Sequence, residues 1–362
     1  MTDLATAVQH QWATRPADER FTSLDALEAA VASRRTRSLE FKTDSTKMQF
    51  QASPSGDVQL LSRRTGVISP SHWSFGQTAA LIGAPGAYLR KLPAPLAAQC
   101  LNHGIATRSV DSIKLMVIDP LDDGTAKPVL QAVTSQTYGR IWDADVVRAA
   151  RRIVDYSTAH LAKPFFNPKE WSGQPGGLYS SDHDVFLFFI DGGSIVDGGG
   201  DRDQMNRGWF MWNSEVGASI FGIASFLFRS VCGNYMIHGM EGVKLIRIRH
   251  TCGGPERFVN EALPALQEYV QASAKPVEAA VQKAKALLLS ADTAAHLEFF
   301  MGRNFTKSEV TRAINVADRE EGGHSTLWQM INGFTASARD MAYVDARIDL
   351  QRRAGKLLEM VA

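Results

Sequence analysis

Apolar positions change period along this chain, and the changes divide it into stretches. Thr22 and Ser23 precede Leu24, Leu27, Ala30 and Val31 at helical spacing, with Asp25 and Glu28 near the start. That pattern predicts a capped first helix. Over residues 37–69 the period shortens. Leu39, Phe41, Met48, Phe50, Val58, Leu60, Val67 and Ile68 fall in short runs broken by Ser53-Pro54-Ser55-Gly56, the signature of a small antiparallel meander. Helical spacing returns over 71–104, punctuated by Pro85, Pro93 and Pro95.

Two strands are expected at 109–118 and 128–133, and a helix at 143–161 with Val146, Val147, Ala150, Ile153 and Val154 inward. Residues 184–191 are apolar on both faces and predict a central strand. A Gly- and Asp-rich loop is expected over 191–208, followed by strands at 209–214, 225–232 and 243–250. After Gly253-Gly254-Pro255 the pattern is helical to the end. The expected fold class is α+β: an antiparallel β-rich body with packed helices, then an all-helical C-terminal region. The expected parts are an N-terminal helix and meander (1–70), the body (71–254) and the helical region (255–362), with 253–255 as a hinge.

Composition adds exclusions. The chain has 362 residues, and 39 Lys+Arg balance 38 Asp+Glu for a net charge of +1. With 44% hydrophobic and 21% charged residues it has the makings of a globular protein with a conventional core. The near-neutral total excludes a histone-like basic protein and an acidic solvating chain, but leaves room for a local basic face. The N-terminal residues show no secretory pattern, and no apolar run reaches the ~20 residues of a spanning helix. Cys100, Cys232 and Cys252 are odd in number and scattered, unlike a disulfide framework or a zinc site. The expectation is a cytoplasmic protein without a membrane partner.

The densest polar stretch lies between Tyr179 and His250. Asp182 and Asp184 flank His183, and if they open a strand, period-two alternation puts both carboxylates on one face. There they could hold Mg2+ or Mn2+, or simply cap a solvated turn. Asn213-Ser214-Glu215 follows the aromatic run Trp209-Phe210-Met211-Trp212. Glu215 is a candidate general base or ligand if burial tunes it, and otherwise caps a helix or turn. Arg229, Asn234, Arg247 and Arg249 lie on or beside later strands. Alternation puts Arg247 and Arg249 together on one face and His250 on the other, and two cations two positions apart suit the phosphates of an extended nucleic acid. An ordinary solvated sheet face is the plainer reading. Six aspartates over 182–203 stand just upstream of this basic strand.

Several of these segments resemble the phage/plasmid-like protein family, whose domain is catalogued as a domain of unknown function (nine-three-two). The likeness runs from Trp73-Ser-Phe-Gly-Gln and Leu81-Ile-Gly-Ala-Pro-Gly-Ala-Tyr-Leu-Arg-Lys-Leu-Pro93 through Leu101-Asn-His-Gly104. It continues in Ala132-Val-Thr-Ser-Gln-Thr-Tyr-Gly-Arg-Ile-Trp-Asp143 and Leu178-Tyr-Ser-Ser-Asp-His-Asp-Val-Phe186. It is strongest over Asn213-Ser-Glu-Val-Gly217, Phe228-Arg-Ser-Val-Cys-Gly-Asn234 and Arg247-Ile-Arg-His-Thr251. The resemblance covers roughly residues 70–260. It implies a mobile-element setting, and adds Tyr138 and Arg140 to the polar positions above. His183 departs from the family's pattern, which has Arg there.

Three functional expectations follow. The first is a protein binding single-stranded nucleic acid through Arg229, Arg247, Arg249, Tyr138, Arg140, Asn213 and Asn234, annealing or protecting it in replication or recombination. Such a protein would assemble as a homo-oligomer through its C-terminal helices. The second is a metal-dependent phosphoryl-transfer enzyme or nuclease with Asp182, Asp184 and Glu215 on Mg2+ or Mn2+ and His250 as base. The third is a buried polar network that fixes the fold.

Overall fold

The computed structural model describes residues 16–62, 66–108, 112–119, 127–156, 162–164, 177–197, 204–229, 234–236, 246–273, 275–290, 292–338, 341 and 344–361. The chain enters through a two-residue strand, β1 (Arg20–Phe21), and helix α1 (Leu24–Arg37). Ser23 caps α1 by accepting a hydrogen bond from the Ala26 amide at 3.1 Å. Next come β2 (Ser38–Thr43), β3 (Gln49–Ala52), β4 (Val58–Ser62), β5 (Gly66–Pro70), helices α2 (His72–Leu81), α3 (Gly86–Leu89) and α4 (Ala94–Thr107), then β6 (Ile113–Ile118) and β7 (Val129–Ser135). These strands form one six-stranded sheet in the order β2-β6-β7-β5-β4-β3. Its inner face carries Phe50, Leu60, Ile68, Leu115 and Val133, packed against Phe75, Leu101 and Ile105 of the helices.

The expected meander is present as β3-β4-β5, but β2 leaves it to pair with β6, and β5 runs parallel to β7. The expected division at residue 70 therefore passes through a sheet. Local periodicity finds the strands but not their partners, which lie some 70 residues further along.

Helix α5 (Asp143–Tyr156) leads to β8 (Ala162–Pro164), β9 (Leu178–Ser180), β10 (Val185–Asp197), β11 (Gln204–Asn213), β12 (Phe221–Arg229), β13 (Asn234–Met236) and β14 (Ile246–Ile248). They build an eight-stranded sheet with the path β1-β9-β10-β11-β12-β13, to which β14 adds beside β12 and β8 beside β10. The stretch expected as a loop over 191–208 is mostly strand: β10 and β11 pair from Val185/Asn213 to Asp197/Gln204, with a bulge between Ile190 and Ile195. The glycines Gly192 and Gly193 occupy that irregularity, where a missing side chain is tolerated.

One face of this sheet is the main core. Val185, Leu187, Phe189, Trp209, Met211, Phe221 and Ile223 meet Leu27 and Val31 of α1 and Val146, Val147, Ala150 and Ile153 of α5. Residues 254–271 run on as Gly254–Arg257, a wider turn over Phe258–Ala262 just before Pro264, and α6 (Leu263–Gln271). Phe258, Ala262, Leu266 and Tyr269 join the same core. The expected hinge at 253–255 is thus the start of a helix that belongs to the body.

The remaining helices are α7 (Lys275–Ala286), α8 (Thr293–Met301), α9 (Lys307–Glu320), α10 (Leu327–Ser337) and α11 (Val344–Glu359). They pack on the far end of the larger sheet, where Val196, Met205 and Leu227 share a cluster with Val281, Phe300, Phe334 and Leu357. The fold is α+β, with mainly antiparallel sheets followed by helices. Among the described residues no helix is long and apolar enough to cross a membrane.

Candidate functional site

Helices α1 and α5 lie across the core face of the larger sheet, and their ends meet where β11 turns into Ser214–Val216. This junction carries a buried ionic network. Asp143, at the start of α5, is 1% exposed, and Asn213 and Glu215 are 0% and 3% exposed. Arg34, near the end of α1, donates from Nη2 to Asp143 Oδ2 at 2.7 Å, and its Nε lies 3.1 Å from Glu215 Oε1. Arg34 also donates to Ser181 O at 2.5 Å and Ser180 Oγ at 3.1 Å. Asn213 Nδ2 donates to Asp143 Oδ1 at 2.7 Å and to Ile141 O at 2.9 Å. The Asp143 amide donates to Glu215 Oε2 at 3.1 Å.

A second layer ties this network to the smaller sheet. Arg140 donates to Glu215 O and, through Nε, to Glu40 Oε2 on β2 at 2.7 Å. Lys114 on β6 sits 3.6 Å from Glu40 Oε1 and donates to Tyr138 O at 2.6 Å. Tyr138 OH donates to Ser214 O at 3.1 Å. The His250 ring stacks on Tyr138, 5.1 Å between centroids, and its Nδ1 accepts the Ile141 amide at 3.3 Å. Trp73 and Gln77 both donate to Val216 O, at 3.2 and 2.7 Å. The network is not fully closed: Arg140 Nη2 and Asn213 Oδ1 are buried without a protein hydrogen-bond partner.

Burial sets the protonation states. It pushes the Asp143 carboxyl well above the usual carboxylate range, with Glu215 adding to the rise and Arg34 and Asn213 opposing it. It lowers His250 to about 4, assisted by the Arg140 charge, so this imidazole is neutral at pH 7. Tyr138 is pushed up, chiefly by burial, and remains a phenol.

The acidic trio expected to hold Mg2+ or Mn2+ is not assembled. Asp182 and Asp184 do not open the strand. They sit in the turn between β9 and β10, which is closed by the Ser181 amide donating to Asp184 O at 2.8 Å. Ser181 Oγ accepts the His183 and Asp184 amides and donates to Asp184 Oδ1. Such local side-chain bonding to the backbone stabilises a turn against strand extension. Asp182 pairs with His183 Nδ1 at 2.5 Å, which holds its carboxyl below the usual range. Glu215 is committed to Arg34 and the Asp143 amide. Among the described residues no three His, Cys, Asp or Glu side chains form a metal-binding group. These residues do not fit a bound Mg2+ or Mn2+, and His250 is stacked and buried rather than poised beside a metal.

The basic positions also separate. Arg247 lies opposite Gly222 and Arg229 opposite Asn234, seven residues apart along β12, or about 23 Å. Arg229 and Asn234 therefore stand far from Arg247, Asn213 and Arg140, and their side chains lie outside the described residues. Arg247 and Arg249 are both exposed, whereas Ile248 and His250 between and beyond them are buried.

No family model, no curated protein and no solved structure matches this chain.

The register of the larger sheet reveals a second feature. Arg20, Tyr179, Phe186, Trp212, Gly222 and Arg247 are direct neighbours across six strands. Directly paired residues in antiparallel strands share a face, so this is one row on the face opposite the main core, with arginine at both ends. Tyr179 stacks on Phe186 at 5.2 Å and Phe210 on Trp212 at 5.4 Å. The Trp212 ring lies over Gly222, where a Cβ would overlap it. Phe186 and Trp212 are half-buried. The aromatic run was therefore divided by alternation: Trp209 and Met211 are core, and Phe210 and Trp212 face the other way.

Sequence reasoning missed Arg34, Asp143, Glu40 and Lys114. Asp143 carried a signal, as an acid in the first turn of a predicted helix. Arg34 was one of several arginines ending α1, and nothing local separates it from Arg35 or Arg37.

Proposed function

We propose that this chain binds single-stranded nucleic acid on the aromatic face of its larger sheet, as a protein of a phage- or plasmid-type mobile element. The observation that carries this reading is the in-register row ending at Arg247, with Arg249 two residues on and both arginines exposed. Cations at this spacing contact backbone phosphates, and half-buried Trp212 and Phe186 offer flat rings to bases. The mobile-element setting rests on the resemblance of the polar segments alone. Arg140, Asn213 and Tyr138 take a supporting part in this scheme: they hold the strand ends in register, and do not touch the ligand. Annealing or protection of a strand would follow from several copies lining up along it.

The test is a fluorescent oligonucleotide titrated with the full chain across a salt series. Submicromolar binding at low salt that weakens steeply as salt rises is expected. Replacing Arg247 and Arg249 together by Ala should lower affinity for all sequences and reduce the salt slope by about one per arginine removed. Affinity of micromolar or weaker without salt dependence overturns the reading.

A further inference from the structure

The C-terminal helices contain a histidine pair that the proposed nucleic-acid face does not use. His296 on α8 is 1% exposed. Its Nδ1 lies 3.2 Å from Asp292 O. A carbonyl oxygen can only accept, so Nδ1 carries the proton and Nε2 keeps its lone pair. That Nε2 is buried without a hydrogen-bond partner. His324, in the turn before α10, places Nδ1 2.5 Å from Asp318 Oδ1 on α9. The carboxylate again orients the ring with Nδ1 as donor and leaves Nε2 as the atom for another partner. The two rings are 5.1 Å apart between centroids, with planes at 70°.

We propose that His296 and His324 together bind a divalent first-row transition-metal ion, such as Zn2+ or Co2+, through their Nε2 atoms. Two imidazoles at metal–nitrogen distances of ~2.0–2.1 Å around one tetrahedral ion have centroids about 5 Å apart, which is the separation found. Each ring also has the outer partner that metal-binding histidines commonly use, an oxygen on the opposite nitrogen that fixes tautomer and orientation: Asp292 O for His296 and the Asp318 carboxylate for His324. Imidazole donors favour Zn2+, Co2+ or Cu2+ over Mg2+ or Ca2+. Among the described residues no three His, Cys, Asp or Glu side chains converge, so these two imidazoles are the ligands that the described residues supply, and water completes the shell. The His324 side chain is 24% exposed, which gives the ion a route from solvent. An ordinary packing pair would leave the His296 lone pair buried and unsatisfied, a cost that a bound ion removes.

The experiment uses the untagged full-length chain, stripped with chelator and dialysed. Zn2+ is titrated calorimetrically, and Co2+ is followed by its visible absorption. One ion per chain is expected. His324→Ala, a change near the surface, should weaken binding at least tenfold, with circular dichroism confirming the fold. Asp318→Asn should weaken it about tenfold, the usual effect of losing an outer carboxylate. The buried His296→Gln variant is secondary, because it risks the fold. Absence of stoichiometric binding, or binding that His324→Ala leaves unchanged, overturns the proposal.

Discussion

Arg34 faces two buried carboxylates, Asp143 and Glu215, and so cannot neutralise both. The Asp143 carboxyl, raised by burial and by Glu215, relieves the excess when it holds its proton. A carboxyl whose folded pKa is raised contributes stability below the unfolded value near 3.9 and loses it as pH climbs through the folded value. Arg34→Met removes the counter-ion and should cost about 3–5 kcal/mol at pH 7. That loss should shrink at pH 5, where Asp143 is more readily protonated; urea unfolding at both pH values measures it. His250 has the opposite sign. Its pKa is lowered by burial to about 4, so its contribution is present above about 6.5 and is lost as pH falls toward 4. The full span is worth roughly 3 kcal/mol at most. His250→Asn should flatten stability between pH 6.5 and 4 in the same unfolding measurement.

At the scale of elements, the helices end where their caps dictate. Thr306 and Glu309 form a reciprocal capping box at α9, and Thr326 and Gln329 form another at α10. Glu309 is also gripped by Arg353 of α11 at 2.6 and 3.0 Å, so one carboxylate both caps α9 and docks α11. Thr326→Ala should cost about 1 kcal/mol in thermal or urea unfolding. The cap of α1, the apolar faces of α1 and α5, and the central strand from Val185 were all legible, because each is written within a few residues. Alternation around Ile248 also separated Arg247 and Arg249 from His250 correctly. The turn at Ser181–Asp184 was not legible as such, since Ser181 Oγ decides it by taking two amides that a strand would have left to a neighbour. The row from Arg20 to Arg247 was hidden for a different reason. It exists only once five strand pairings are in register, and a one-residue slip in any of them would break it.

Across the whole molecule, the two sheets are joined along a seam around Tyr138–Arg140. Tyr138 bridges Thr251, the Gly139 amide donates to His250 O at 3.1 Å, and Arg140 spans from Glu215 to Glu40. A side chain at Gly139 would overlap the Thr251 carbonyl oxygen, so Gly139→Ala should destabilise by at least about 2 kcal/mol, with loss of cooperativity in the unfolding curve. The helical region leaves Leu288, Met301 and Met360 at 75%, 51% and 50% exposure. If copies of the chain associate through these helices, sedimentation should show a concentration-dependent mass that Leu288→Lys reduces. The seam has a further consequence in time rather than in space. Arg34 leaves the ribosome long before Glu215, and β1 waits for β9 across more than 150 residues. The smaller sheet can close on its own residues, whereas α1 finds its first charge partners on α5, where Asp143 meets Arg34 and Arg151 meets Asp25 and Glu28, and the sheet face that both helices cover is complete only once the chain has grown past β11. Nucleation by such distant contacts is slow. Synthesis halted before α5 would release a chain whose first helix exposes Leu27 and Val31, a ready substrate for chaperones or proteases.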